Sequence, residues 1–223
     1  MIVAKSGGNT QRELIPSGTH VARCISMIHV GTVQWEYNGQ IKNTDKVRLT
    51  WELPNETKVF KEENGEQPMV IDAEYTLSMY FKGNLRPMLE SWRGLAFTEG
   101  EAEGFDISKL LGAVCQLSIV HKKATNGNVY ANVGSVVTLM KGVECPPQVN
   151  PTFEFNYDDK FDLTWLREQP DFIKDMIQST PEYKGRIKEL EAAEGLKQMD
   201  AALSNTVHED LPVGNLPDID PIF

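Results

Sequence analysis

Aromatic and basic side chains lie close together at three places in the first part of the chain. Flat rings can stack on nucleobases, and lysine and arginine side chains can contact the phosphates between those bases. Because every base has a flat face, such a combination binds an unpaired strand with little dependence on its sequence. The candidate residues are Trp35, Tyr37, Lys42, Lys46, Arg48, Lys58, Phe60, Lys122, Lys123 and Tyr130.

Several of these candidates also have a purely structural interpretation. Trp35 and Tyr37 lie on one face beside the predicted turn Asn38-Gly39, where they could close the end of a sheet or present their rings to a ligand. Lys46 and Arg48 could form an ordinary solvated strand face, and paired lysines such as those at 122–123 are common beside hairpin turns. The alternatives stay open until the elements that position these side chains are known.

The spacing of apolar residues predicts mainly β structure. Alternation is clearest over 46–53, where Val47, Leu49 and Trp51 point to one side of the strand, and Pro54 is expected to end it. We expect Trp51, like Trp92 and Phe105, to lie in the core, because large aromatic residues at strand or helix spacing are usually buried. Predicted strands cover 20–30, 33–37, 46–53, 57–61, 69–81, 114–120 and 129–139, and a helix covers 85–92.

This order of about three β segments, a helical insertion and a final hairpin is typical of an OB-fold, a five-stranded, partly open Greek-key barrel. A sheet with a helix at one end is the alternative. We expect a flexible leader over 1–17, the OB-fold-like domain over 18–142, a linker and short helical appendage over 143–199, and a disordered acidic tail over 200–223.

Charge is distributed unevenly along the chain. The net charge of −10 argues at first against a polyanionic ligand. Residues 1–150, however, contain 15 Lys or Arg and 16 Asp or Glu, whereas residues 151–223 contain 7 and 16. The first part of the chain is therefore close to neutral, and the excess acid lies toward the C-terminus.

Cysteine and histidine usage indicates neither a metal site nor catalysis. Cys24, Cys115 and Cys145 form no CxxC pair, and we expect the first two to be buried thiols of a reduced, cytoplasmic protein. The four histidines are scattered, and no HExxH motif, nucleophile elbow or complete phosphate loop is present. No apolar run approaches the length that spans a bilayer. We therefore expect a non-enzyme without a cofactor and without a membrane partner.

A group of short motifs lies between residues 89 and 121. They are Trp92-Arg93-Gly94 at a helix end, Phe105-Asp106, Leu110-Leu111-Gly112, and the strand Cys115-Gln116-Leu117-Ser118-Ile119-Val120-His121. Over roughly residues 75–142 the chain resembles small phage-encoded replication proteins described as single-stranded DNA-binding. The resemblance implies an OB-fold protein that coats single strands in an infected bacterial host.

The last six residues combine carboxylates with an apolar end. They resemble the acidic tip of bacterial single-stranded DNA-binding proteins, although proline here precedes isoleucine. The resemblance implies capture by replication or recombination proteins, since an apolar anchor flanked by negative charge suits a pocket with a basic rim. The candidate partner-binding residues are Asp218, Asp220, Pro221, Ile222 and Phe223.

Taken together, the sequence predicts a sequence-independent single-stranded DNA-binding protein in phage DNA replication or recombination, which could also be a homo-oligomer. Two other functions remain open. An acidic interaction protein could mimic DNA and occupy a host DNA-handling enzyme, and it would have no affinity for oligonucleotides. A phage structural or assembly protein with a β core would instead form stable oligomers.

Overall fold

The computed structural model describes residues 13–206. It is mainly β, with five α-helices and two short 3-10 helices over Glu62–Asn64 and Ile107–Leu110. The strands are β1 (Gly18–Tyr37), β2 (Gln40–Val59), β3 (Glu66–Thr76), β4 (Val114–Lys123), β5 (Val129–Val137) and β6 (Phe153–Phe155). The helices are α1 (Leu85–Arg93), α2 (Glu99–Glu103), α3 (Leu163–Glu168), α4 (Asp171–Ser179) and α5 (Pro181–Thr206).

All six strands belong to one sheet. Five follow the order β3-β2-β1-β4-β5 with antiparallel neighbours, and the short β6 pairs with the middle of β1 in parallel. Within the described chain the two outer strands, β3 and β5, do not pair with each other, so the sheet does not close. The prediction of a mainly β fold with a helical insertion is confirmed.

β1 and β2 form one long hairpin. Asn38 and Gly39 both have positive φ at its turn, as a type I′ turn requires, which confirms the predicted turn. The prediction that β2 ends at Pro54 is wrong. The strand continues to Val59, with a shift in the β2–β3 register between Leu53 and Thr57. Proline lacks a backbone N–H, and an irregularity of this kind is where a sheet accommodates it.

The main core lies between the sheet and α1. Val47, Leu49 and Trp51 are buried there as predicted, and the Trp51 ring lies 6.0 Å from that of Trp92. The thiols of Cys24 and Cys115 are also buried, as expected, and desolvation raises the pKa of Cys24 to about 12. Thiols held in this way are packing residues rather than nucleophiles.

A second core holds the C-terminal helices against the hairpin. Phe155 on β6, Leu166 on α3 and Ile177 on α4 are fully buried with Ile28 and Val30 of β1. The region expected to be a linker and appendage is thus packed onto the sheet. Helix α5 continues to Thr206, past the expected start of the tail at residue 200. Among the described residues no helix is long and apolar enough to cross a membrane.

Glu52 joins these two parts of the molecule. Alternation along β2 places it with the polar residues, yet its side chain is fully buried. Its carboxylate accepts hydrogen bonds from the backbone N–H groups of Val149 and Asn150 at 3.1 and 2.8 Å, and from the Asn150 side chain at 2.8 Å. Charge-assisted bonds of this kind compensate for burying the carboxylate. They hold the connecting segment on the outer face of β2.

Helix α5 begins against a glycine of β1. Gly31 has φ of +92°, and a Cβ there would lie 2.8 Å from the Glu182 carboxylate and 3.1 Å from the Tyr157 hydroxyl. The Glu182 carboxylate accepts hydrogen bonds from the backbone and hydroxyl of Thr32. Partial burial raises the pKa of Glu182, but these bonds outweigh it and the pKa lies below its usual value. Only glycine permits this close approach.

Candidate nucleic-acid interface

A groove of about 550 Å³ lies between β3 and β5, the two outer strands of the sheet. Three candidate residues from separate parts of the chain line it: Lys58 at the end of β2, Phe60 just after it, and Tyr130 on β5. Phe60 is 57% exposed, so a ligand in the groove can reach its ring. The open side of the sheet therefore brings together two rings and a cation that are distant in sequence.

The β4–β5 hairpin holds Tyr130 at the edge of this groove. Lys122 is the cross-strand partner of Tyr130, so both side chains lie on the same face. Lys123 follows, and both lysines are exposed. Neither lysine forms a salt bridge with any residue between 13 and 206. One exposed cation thus lies opposite a ring of the groove, and a second follows it at the end of β4.

The segment before β1 crosses the groove wall. Ile15 is buried, and its carbonyl lies 2.8 Å from the ring nitrogen Nε2 of His121. Glu13 is exposed and lies 3.1 Å from Lys58 Nζ. The last residues of the expected leader are therefore held in place, and they supply one carboxylate next to the lysine of the groove. An exposed pair of this kind is weak, so Lys58 remains available to a stronger anion.

Lys46 and Arg48, in the middle of β2, are arranged differently. Arg48 lies 2.6 Å from the Asp72 carboxylate and 3.0 Å from that of Glu74, and Lys46 lies 3.2 Å from Glu74. Both carboxylates belong to β3, the strand next to β2. The guanidinium of Arg48 also lies 5.5 Å from the ring centroid of Phe172 on α4. Two anions therefore neutralise these two cations, and a helix approaches them.

Trp35 and Lys42 lie near the tip of the β1–β2 hairpin, outside the groove. They are cross-strand partners, and Lys42 Nζ lies 5.8 Å from the centroid of the Trp35 ring. The indole N–H of Trp35 donates a 2.8 Å hydrogen bond to Thr44 Oγ1, and the residue is 43% exposed. Tyr37 belongs to β1, but its side chain lies outside the described part of the structure. The tip thus offers a half-exposed ring and a cation apart from the groove.

Most residues that line the groove were not predicted from the sequence, and Val70 and Asn132 are two of them. Val70 on β3 is half exposed, and Asn132 lies two positions beyond Tyr130 on β5. Asn132 lies on the same strand face as Tyr130, and Val70 lies on the same face as Asp72. Strict alternation within β3 and β5 could therefore have identified both. Within residues 13–206 no group of His, Cys, Asp and Glu side chains could hold a metal ion.

The candidate partner-binding residues lie outside the described residues, and their role stays a prediction. They are Asp218, Asp220, Pro221, Ile222 and Phe223.

Comparisons of the chain with protein-family models, with curated proteins and with solved structures found no match. What the interface binds is therefore inferred from its own geometry and charge.

Proposed function

We propose that this chain binds single-stranded DNA without sequence preference, with bases stacked on Phe60 and Tyr130 in the groove. The proposal rests on one observation: these two rings and Lys58 line the same open groove. Stacking on aromatic rings tolerates any base, and nearby lysines contact the phosphates. Lys122 and Lys123 continue the positive charge from Tyr130 along the hairpin.

The strand order of the sheet also supports single-stranded DNA as the ligand. The strand order β3-β2-β1-β4-β5, with α1 between β3 and β4, agrees with an OB-fold that is open between its outer strands. OB-folds bind oligonucleotides on the face of strands 2 and 3 and with the loops after strands 1 and 4. The groove lies beside β3 and near the β4–β5 turn, and the tip with Trp35 forms the loop after β1.

The net charge of −10 is compatible with this proposal, because binding needs only a few phosphate contacts. The log of the affinity for a single strand falls with the log of the salt concentration by about 0.7 per phosphate contact. Three contacts, from Lys58, Lys122 and Lys123, predict a slope of about −2. This modest slope distinguishes the proposed mode from that of a strongly basic protein.

Truncation of each ring tests the proposal. Phe60→Ala and Tyr130→Ala should each weaken binding of a labelled oligo-dT, measured by fluorescence anisotropy, by about 5- to 150-fold, because each stacked base is worth about 1–3 kcal/mol. Phe172→Ala is a matched control, since this ring on α4 is 55% exposed and lies outside the groove. It should leave the affinity unchanged.

Two results would contradict the proposal. In the first, Phe60→Ala and Tyr130→Ala bind the oligonucleotide as tightly as the unmodified protein. In the second, the unmodified protein does not bind oligo-dT at low salt, which would favour the acidic interaction protein. A thermal melt of each variant confirms that the fold is intact, as expected for exposed side chains.

A further inference from the structure

A second pair of exposed rings lies in the loop between β3 and α1. Tyr80 is 56% exposed and Phe81 is 59% exposed, and their ring centroids lie 4.8 Å apart in an edge-to-face arrangement with an interplanar angle of 61°. The ammonium of Lys82 lies 5.3 Å from the centroid of Phe81. The sequence predicted a strand through Phe81, but β3 ends at Thr76, so strand alternation does not account for this exposure.

Hydrogen bonds attach this loop to β2 and join its two ends. The N–H of Leu77 donates to the carbonyl of Asp45 at 2.8 Å, and the N–H of Gly83 donates to that of Tyr80 at 2.8 Å. At the other end, the side chain of Asn84 accepts a 3.0 Å hydrogen bond from the N–H of Thr76. Rings on a fixed backbone lose less conformational entropy when they bind, so the loop is preorganised.

The charge around these rings suits a polyanion. Residues 77–84 contain no Asp or Glu. Lys82 forms no salt bridge with any residue in the described part of the chain, in contrast to Lys46 and Arg48. Two rings with one cation, in a segment that has no carboxylate of its own, match a nucleobase that is followed by a phosphate.

Strand β3 connects the groove with this loop. Val70 lines the groove, and Thr76 is the last residue before the loop. At about 3.3 Å per residue, these two positions are about 20 Å apart. Between them the strand passes Asp72 and Glu74, whose negative charges are paired with Arg48 and Lys46. A nucleic-acid strand long enough to follow β3 can therefore contact both places, whereas a short one can occupy only one of them.

We propose that Tyr80 and Phe81 form a second stacking subsite for unpaired nucleobases, with Lys82 contacting the adjacent phosphate. The occupant is the continuation of the strand that binds in the groove, so this inference rests on the proposed function. It predicts that the contribution of the loop depends on strand length.

The test compares two lengths of labelled oligo-dT, of about 4 and about 16 nucleotides, which span the site sizes of single OB-folds. The double variant Tyr80→Ala/Phe81→Ala should bind the longer strand at least about 5-fold more weakly. It should bind the shorter strand as the unmodified protein does, because that strand occupies the groove. Lys82→Ala should reduce the salt slope for the longer strand by about 0.7.

The outcomes separate this inference from the proposed function. If Phe60→Ala weakens binding of the longer strand but the double variant does not, the second subsite is overturned and the groove remains. Equal losses for both lengths would also overturn it, because the rings would then belong to a single site. If the unmodified protein binds neither strand, both proposals fail.

A lipid surface is the other ligand class that exposed rings and a lysine could contact. Sedimentation with phosphatidylserine vesicles distinguishes it, using the same double variant and Phe172→Ala as the control. DNA binding that is unchanged by the double variant, together with lost vesicle binding, would overturn the inference in favour of a lipid surface.

Discussion

The middle of β2 and the mouth of the β4–β5 hairpin both carry two basic residues, and their surroundings differ. Lys46 and Arg48 pair with Asp72 and Glu74 of β3, whereas the lysines at 122–123 form no salt bridge within residues 13–206. Basic residues in the middle of β2 are thus occupied by carboxylates, whereas those of the hairpin are accessible to a ligand. The neighbouring strand, not the identity of the basic residue, decides whether a cation can contact a phosphate.

Electrostatics explains why the difference matters. A phosphate that approaches Arg48 must compete with two carboxylates already within 3.0 Å of it. The phosphate also meets the repulsion of those carboxylates. Within residues 13–206 no carboxylate pairs with Lys122 or Lys123, so a phosphate there competes with none of the described anions, and release of counterions favours its binding. We therefore expect the hairpin lysines to dominate the phosphate contacts.

Among the charge changes, the largest expected effect is on DNA affinity. The double variant Lys122→Ala/Lys123→Ala should lose affinity for oligo-dT on the order of 50-fold at about 50 mM salt, and the salt slope should fall by about 1.4. The reason is the loss of two phosphate contacts. Anisotropy titrations at several salt concentrations measure both quantities.

Lys46→Ala is the matched control for this variant. It removes one positive charge from the sheet, where the double variant removes two, and Glu74 already neutralises that charge. Its effect on affinity should be less than about threefold. If the loss of DNA affinity per lysine were equal in β2 and in the hairpin, pairing with carboxylates would not decide which lysines bind DNA.

A smaller effect is expected on stability at the middle of β2. Arg48→Ala should lower the free energy of unfolding by about 1 kcal/mol, because it removes two partly exposed ion pairs and the contact with Phe172. Urea denaturation measures the change. Lys123→Ala, an exposed residue, should leave the urea midpoint within the error. A similar midpoint for both variants would show that the ion pairs of Arg48 contribute nothing to folding.

The smallest expected effect is a gain in affinity. Glu74→Gln releases Lys46 and Arg48 from one carboxylate, so binding of oligo-dT at low salt should tighten by about two- to threefold. Glu189→Gln is the charge-matched control, because its carboxylate pairs with Arg186 on α5. Equal gains from both variants would mean that net charge, rather than local pairing, sets the affinity.

Local sequence was enough to predict most individual elements. Alternation in Val47, Leu49 and Trp51 identified the buried face of β2, because side chains of a strand point alternately to its two faces. Asn38-Gly39 identified the hairpin turn, since few other residues accept positive φ at both positions. The helical spacing over 85–92 identified α1.

The candidate site was predicted only in part. The sequence identified Phe60 and Tyr130 as candidate stacking residues. It did not show that the two residues line the same groove. The extra exposed rings at Tyr80 and Phe81 were assigned to a strand, because the end of β3 depends on where its pairing with β2 stops. Pairing between strands is a property of two segments, and one segment alone does not reveal it.

The amino-acid sequence by itself determined which faces of the strands are apolar and where the chain turns, because those properties depend on neighbours a few residues apart. Only the tertiary structure decided which charges are neutralised. Glu52 is buried because Val149 and Asn150 reach it from almost a hundred positions away. Arg48 is paired because the register of β3 places Glu74 opposite it. Such contacts depend on how distant segments align, and electrostatic interactions act over distances in space rather than along the chain.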